Sequence, residues 1–348
     1  MFQPTGIVRD RRFLEHTMGS GHVESPLRLE AVYEMLDKDG PANLADIPAR
    51  AATLEELAFI HDPDYIAFIE RTSGRAMVVL DPDTAASART WEAARLAAGG
   101  LLEASDAVLR GEVRNAFALV RPPGHHAEAG RAMGFCIFNN IALAAEHLVR
   151  RRGLKRVLIA DWDLHHGNGT QHSFYERGDV LYFSTHQFPY YPGTGHWTES
   201  GSGAGAGKTV NIPLSPGKTD GDYLHIYRTI LGAIARQFRP EFILVSAGFD
   251  IYGGDPLGGM DLSTQGFGAL AAEIMALADE MCRGRLLFTL EGGYHLPGLR
   301  DGVKHVLLQL NGASPPIPVE ASPSPATLRE IAPAAAHLSR YWKLEACV

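Results

Sequence analysis

Four short apolar runs in this chain each end abruptly in residues that carry chemistry, and this arrangement restricts the fold more than any other feature. Asn115 to Val120 runs into Arg121-Pro122-Pro123-Gly124-His125-His126, and Val157 to Ala160 runs into Asp161-Trp162-Asp163-Leu164-His165-His166-Gly167-Asn168-Gly169-Thr170. Phe242 to Ser246 leads into Ala247-Gly248-Phe249-Asp250, and Leu286 to Leu290 into Glu291-Gly292-Gly293-Tyr294. A fifth run, Val180 to Ser184, ends at Thr185-His186. Apolar runs of this length bounded by glycine and proline read as buried strands. Helical patterns separate them: Leu29 to Leu36, Leu57 to Ile69, Thr84 to Leu109, Asn139 to Arg152, Asp220 to Phe238, Gln265 to Cys282 and Leu299 to Leu310. Strands alternating with helices build βαβ units, which predicts an α/β fold with a parallel sheet and helices on both faces. In such sheets the ligand site lies beyond the carboxyl ends of the strands, so the four polar endings are expected to converge.

The chain has 348 residues, 45% of them hydrophobic and 21% charged, enough for a large core. No linker divides the motifs, which predicts a single domain over residues 1–348, with catalytic motifs in 22–298 and a C-terminal part, 312–348, that begins with the Pro- and Ser-rich segment Gly312 to Ala326 and wraps around the outside. The net charge of -8 argues against electrostatic binding to nucleic acid or to an anionic membrane. Met1 to Arg12 has no apolar core of signal-peptide length, and no run reaches the ~18 apolar residues of a membrane span, so a cytoplasmic location is expected. Three cysteines, Cys136, Cys282 and Cys347, lack Cys-x-x-Cys spacing, which predicts reduced thiols and no thiolate zinc site.

Within Asp161 to His166, side chains at two-residue intervals share a face in extended backbone, placing Asp161, Asp163 and His165 together. A lone carboxylate there caps a loop; four titratable groups within six residues have the make-up of a site. Two carboxylates and an imidazole suit a divalent ion such as Zn²⁺. Asp163, His165 and Asp250 make a three-ligand set with a position left open for water, the catalytic arrangement. His125 and His126 supply candidate bases, and Asp161 and Asn168 are candidates to orient them. Gly292 and Gly293 let backbone approach a substrate, and the Tyr294 phenol is a donor for a developing oxyanion. These parts add up to metal-assisted amide hydrolysis. Arg28 follows Pro26 at a helix start, where spacing alone describes a solvated residue. Pro189 to Lys208 reads as a mobile surface loop. Its end imitates a phosphate-binding loop, but Ser202 stands where the first glycine is needed and no helix follows Thr209.

From about His22 to Gly298 the chain resembles the zinc-dependent histone deacetylase family, in particular its bacterial histone deacetylase-like amidohydrolases, class II-like. Arg-Pro-Pro-Gly-His-His, Gly-Phe-Cys-Ile-Phe-Asn-Asn, Asp-Trp-Asp-Leu-His-His-Gly-Asn-Gly-Thr, Ser-Ala-Gly-Phe-Asp and Glu-Gly-Gly-Tyr together carry the resemblance. It implies the arginase/deacetylase fold, with a single eight-stranded parallel sheet, and one zinc on Asp163, His165 and Asp250. It also implies His126 as general base, with His125 as an electrostatic or acid partner held by Asp161, and Tyr294 as the group that polarises the scissile carbonyl. Gly134, Phe135, Tyr191 and Gly293 would then border an acyl-lysine tunnel, and Arg28 would line an inner channel. A structural potassium ion is expected near Asp161 and Ser184. The implied substrates are acylated lysine in proteins or peptides, or acetylated amines.

Two departures from the family pattern bear on chemistry. Asn168 stands where class I members place an aspartate behind the second histidine, as it does in class II members, which should make His126 less basic, and Tyr191 stands where a phenylalanine is common, which adds a hydroxyl to the tunnel rim. Leu257 occupies the position of a gatekeeping glutamate in the polyamine-specific relative, which tilts the reading away from acetylpolyamines. A binuclear manganese ureohydrolase would need an Asp-x-Asp pair where this chain has Gly248-Phe249-Asp250, and an inactive acyl-ligand sensor would not need the complete set of groups.

Overall fold

The computed structural model describes residues 3–312 and 322–344. The strands are β1 (Thr5–Val8), β2 (Leu44–Asp46), β3 (Met77–Asp81), β4 (Thr84–Ser87), β5 (Asn115–Ala118), β6 (Val157–Asp161), β7 (Val180–Gln187), β8 (Thr209–Leu214), β9 (Phe242–Ala247) and β10 (Leu286–Leu290). Eight of them form one sheet in the order β2-β1-β5-β10-β9-β6-β7-β8, every pair parallel. β5, β10, β9 and β6 are therefore consecutive neighbours, and these are the four strands whose ends carry the polar motifs. Registers such as Asp161 opposite Ser246 and Leu290 opposite Ala247 bring those ends to one level.

Every residue of β5, β6, β9 and β10 is buried, as expected for strands covered on both faces. The helices Thr90–Arg110 and Asn140–Glu146 pack against each other, as do Thr264–Cys282 and Leu296–Leu310, and together they cover the sheet. Fully burying one of the central Ile or Leu side chains stabilises the fold by roughly 1.5–3 kcal/mol, so this core holds the site floor rigidly.

Local chemistry moved several boundaries. The helix expected over Leu57 to Ile69 is two, Leu54–Leu57 and Pro63–Glu70. Pro63 has no amide hydrogen to continue a helix and opens the second one, with Asp62 extended before it. The helix expected from Thr84 begins at Thr90; Thr84–Ser87 is instead β4, paired antiparallel with β3 across the Asp81-Pro82-Asp83 turn. The Thr90 hydroxyl accepts the Ser87 amide at 2.7 Å, a local bond that closes this turn rather than extending the helix. Single π-helical turns, His147–Arg151 and Tyr227–Leu231, interrupt two further expected helices.

The glycine-rich segment is anchored rather than free. Glu199 accepts the amides of Gly195 and His196, and Tyr341 packs so closely under Gly207 that a Cβ there would lie 2.6 Å from its ring. No phosphate loop forms, since Thr209 opens β8. The C-terminal helix Pro325–Leu338 lies along β8, with Glu330 bonded to Ser215 and Lys218, and the Trp342 indole donates to the Gly207 carbonyl. Cys136 and Cys282 are buried free thiols; Cys347 and most of the Pro- and Ser-rich segment lie outside the described residues. Among the described residues no helix is long and apolar enough to cross a membrane.

Candidate active site

A pocket opens above the joined ends of β5, β10, β9 and β6. Its lining includes His125, His126, His165, Gly134, Phe135, Tyr191, Leu257 and Tyr294.

Asp163, His165 and Asp250 converge at the floor, their ligand atoms all within 4.8 Å of one another. His165 Nδ1 faces Asp163 Oδ1 at 3.1 Å and Asp250 Oδ2 at 3.2 Å. The remaining carboxylate oxygens are turned and held by backbone: Gly292 N donates to Asp163 Oδ2 at 2.9 Å and Leu164 N to Asp250 Oδ1 at 2.9 Å. Asp250 Oδ2 is buried and makes no hydrogen bond. Burial and the neighbouring Asp163 charge raise Asp250 to about 7. Two dry carboxylates, one with an oxygen left open beside an imidazole, are the donor set a divalent cation needs. The residues fit zinc.

Glycine is required by this floor. A Cβ on Gly292 would sit 2.2 Å from Asp250 Oδ2 and 2.7 Å from Asp163 Oδ2. At the wall, Gly134 has φ +56°, and a Cβ there would lie 2.3 Å from His126 Cδ2.

The two histidine rings lie 4.0 Å apart between centroids, tilted by 45°, and have different partners. His125 Nδ1 lies 3.1 Å from Asp161 Oδ2, and its Nε2 lies 3.7 Å from Asp163 Oδ1. Burial opposes its charge, but the Asp163 and Asp161 carboxylates outweigh that and raise it to about 10. His126 Nδ1 lies 2.8 Å from Asn168 Oδ1. Burial, together with His125 and His165 nearby, holds His126 well below the ordinary histidine value, and a neutral amide does little to restore it. The expected low basicity of His126 thus has a structural cause beyond Asn168 alone.

Tyr294 is set by three contacts. Its amide donates to Asp255 Oδ2 at 2.6 Å, its ring meets Phe135 edge-on at 5.8 Å, and the Arg28 guanidinium lies 4.9 Å from its centroid. Arg28 is completely buried, not solvated, and donates to the carbonyls of Gly293 at 2.7 Å and Glu291 at 2.5 Å. It sits behind the Glu291 to Tyr294 turn and is paired with the buried Glu24. Tyr191 stands edge-on to His126 at 5.2 Å, and the Tyr190 hydroxyl donates to the Leu257 carbonyl at 3.1 Å. Asp161 lies opposite Ser184 in the sheet; its carboxylate also accepts the Tyr182 hydroxyl at 3.0 Å, while the Ser184 hydroxyl is 2.9 Å from His186 Nδ1.

Several residues that hold this site carry little or no signal in the sequence motifs. Asp83 Oδ1 accepts the Gly134 amide at 3.1 Å and the Thr84 hydroxyl accepts that of Phe135 at 2.9 Å, so the β3–β4 hairpin fixes one wall. Glu291 accepts the amides of Gly124 at 2.7 Å and His125 at 3.2 Å. Asp255 holds Tyr294, and Glu128 bonds the Asn168 amide. A carboxylate beside a glycine turn was the available signal for Glu291; the others depend on loops that meet only in the fold.

This sheet order, with chemistry gathered at the ends of four adjacent parallel strands, defines a parallel α/β class of protein whose candidate site lies beyond the carboxyl ends of its strands, and comparison with known proteins gives the family. The histone deacetylase domain model matches residues 22–310, and the chain belongs to that family. Among its relatives, a probable deacetylase of Archaeoglobus fulgidus is 40% identical over 84% of this chain and 82% of its own length. Histone deacetylase 15 of Arabidopsis thaliana is 39% identical over 94% of this chain, but the match spans 60% of that longer protein. The crystal structure of the HDA15 HD domain superposes with a TM-score of 0.91 at 37% identity, covering 98% of this chain and 95% of that one. The arginase/deacetylase fold expected from the motifs is the fold observed.

Proposed function

We propose that this chain is a zinc-dependent amidohydrolase that removes acetyl groups from acylated lysine side chains. The observation that carries this reading is the meeting, in one pocket, of the open Asp163–His165–Asp250 set with the His125–His126 pair and Tyr294. When bound, a zinc ion supplies Lewis-acid polarisation of an amide carbonyl and acidification of water. The protein's own groups do the rest. His126, neutral and with Nδ1 turned to Asn168, offers its other ring nitrogen to take a proton from water. His125, oriented and charge-supported by Asp161, is the electrostatic or acid partner on the leaving-amine side. The Tyr294 hydroxyl donates to the carbonyl oxygen as negative charge develops there. Phe135 and Tyr191 pack against the four-carbon stem of a lysine side chain and exclude water from it.

The whole chain is taken as one deacetylase domain, residues 1–348. A potassium ion near Asp161 and Ser184 rests on the family resemblance and on their pairing across β6 and β7. Leu257 in the pocket lining, an apolar residue, favours acyl-lysine over acetylpolyamines. Turnover of an acetyl-lysine peptide beside N-acetylputrescine and N-acetylspermidine by the zinc-loaded protein decides between them. Preference for the peptide is expected; preference for the polyamines would overturn the substrate assignment.

A further inference from the structure

Asn168 presents a problem that an aspartate in its place would not. An asparagine side chain has an accepting edge and a donating edge of nearly the same shape, and only one suits His126. With Oδ1 toward the ring, His126 Nδ1 carries the hydrogen and Nε2 keeps its lone pair in the pocket. Turned over, the amide would donate to Nδ1, the hydrogen would move to Nε2, and no base would remain. The hydrogen bond that selects the productive edge must come from elsewhere.

We infer that Glu128 is a positioning residue for His126, acting through the side-chain amide of Asn168. The inference rests on the reading of His126 as the base. The Asn168 Nδ2 group donates to Glu128 Oε1, with the His126 carbonyl at 3.3 Å and Met133 Sδ at 3.4 Å as the other acceptors. The carbonyl contact is long, and a thioether accepts weakly. The carboxylate is the one charged acceptor of the three, and charge-assisted bonds are about twice as strong as neutral ones. It has no hydrogen to give, so a turned-over amide would set Asn168 Oδ1 against an anion. Glu128 is itself held: His172 Nδ1 lies 2.9 Å from Oε1 and 3.0 Å from Oε2, and the Glu128 amide donates to the Arg131 carbonyl at 2.9 Å. Burial alone would favour its neutral form, yet His172 and the Asn168 amide keep it lowered and ionised.

The pairing has a logic that a purely structural carboxylate lacks. An aspartate at 168 has two equivalent oxygens and needs no orienting partner, and its second oxygen would face the Glu128 carboxylate, so Glu128 should help only while residue 168 is asparagine. The test is a double-mutant cycle on the zinc-loaded protein, with kcat and KM measured on an acetyl-lysine peptide for Glu128→Ala in the wild-type and Asn168→Asp backgrounds. In the wild-type background kcat should fall ~10-fold or more with KM within about 2-fold, the scale of lost orienting contacts. In the Asn168→Asp background the same change should cost nothing or raise kcat, because the orienting group has nothing left to orient and its loss relieves two facing carboxylates. Glu128→Gln, which keeps an accepting oxygen, should recover part of the loss. Nitrogen NMR of His126 reads the tautomer without turnover: the Nδ1–H form in the wild type, and a mixture of both tautomers in Glu128→Ala. An unchanged kcat in the wild-type background, or an equal loss in both backgrounds, would overturn the inference. If the wild-type protein turns over no acyl substrate, the functional reading fails, and the tautomer measurement still decides the role of Glu128.

Discussion

His126 Nδ1 lies 2.8 Å from Asn168 Oδ1, while its neighbour His125 points its Nδ1 at the Asp161 carboxylate 3.1 Å away. Two adjacent imidazoles, tilted 45° to each other, are thereby given unlike partners, one a neutral amide and one an anion. Groups whose surroundings push their proton affinities apart divide acid and base work between them. The account predicts that His126→Ala lowers kcat by ~10²-fold or more while the protein retains its zinc. Activity near the wild-type level, measured alongside metal content, would remove His126 from the base role.

Tyr294 offers the second prediction. Phe135 and Arg28 hold the ring on both sides, so replacing the hydroxyl alone should leave the pocket shape unchanged. Tyr294→Phe should lower kcat by ~10²–10³-fold, the cost of one oxyanion donor, with substrate KM and zinc content preserved. A variant that turns over normally would show that the phenol does no chemistry.

Two glycine substitutions should fail in different ways. The added methyl group in Gly292→Ala presses on Asp250 and Asp163, so zinc affinity should fall by ~10-fold or more. In Gly134→Ala it presses on His126 from a backbone with φ +56°, so kcat should fall while zinc binding stays near wild type. Metal titrations on both variants check this; equal loss of zinc in both would mean that the floor and wall are not separate units.

How much of this was legible beforehand depended on where each residue sits. Asp163, His165, Asp250, His125 and Tyr294 lie within about five residues of the ends of apolar runs, so strand patterning and the rule of carboxyl-end sites point to them without coordinates. Asp83, Glu128 and Asp255 sit in loops with no period, and each acts on a residue dozens of positions away: Asp83 on Gly134, Glu128 on Asn168, Asp255 on Tyr294. Spacing alone makes Arg28 a solvated residue, because its helix looks like a surface helix, and only the fold brings its guanidinium to a turn 265 residues later. β4 was hidden because its Thr-Ala-Ala-Ser sequence continues smoothly into an alanine-rich helix. Propensity summed over a window does not register a hydroxyl that closes a turn.

Acid should weaken the fold through His61. It is buried, with Nδ1 3.0 Å from the Glu128 carbonyl and Nε2 accepting the Asn139 amide at 2.9 Å, and burial lowers its pKa to about 4. The unfolded chain, with an ordinary histidine, binds the proton first as pH falls. Stability is therefore full above about pH 6.5 and drops steadily toward pH 4, by about 2 kcal/mol between pH 7 and 5. Urea unfolding of the wild type and His61→Gln across that range checks this, since the variant should lose less stability on acidification. Parallel curves for the two proteins would contradict it.

The central claim, that one catalytic metal on Asp163, His165 and Asp250 drives amide hydrolysis, meets its most direct test in metal content and turnover measured on the same sample. The account predicts about one zinc per chain, loss of acetyl-lysine peptide turnover on chelation, and recovery when zinc is returned, with neither zinc nor turnover in Asp250→Ala. Two metal ions per chain, or turnover that survives chelation, would contradict it.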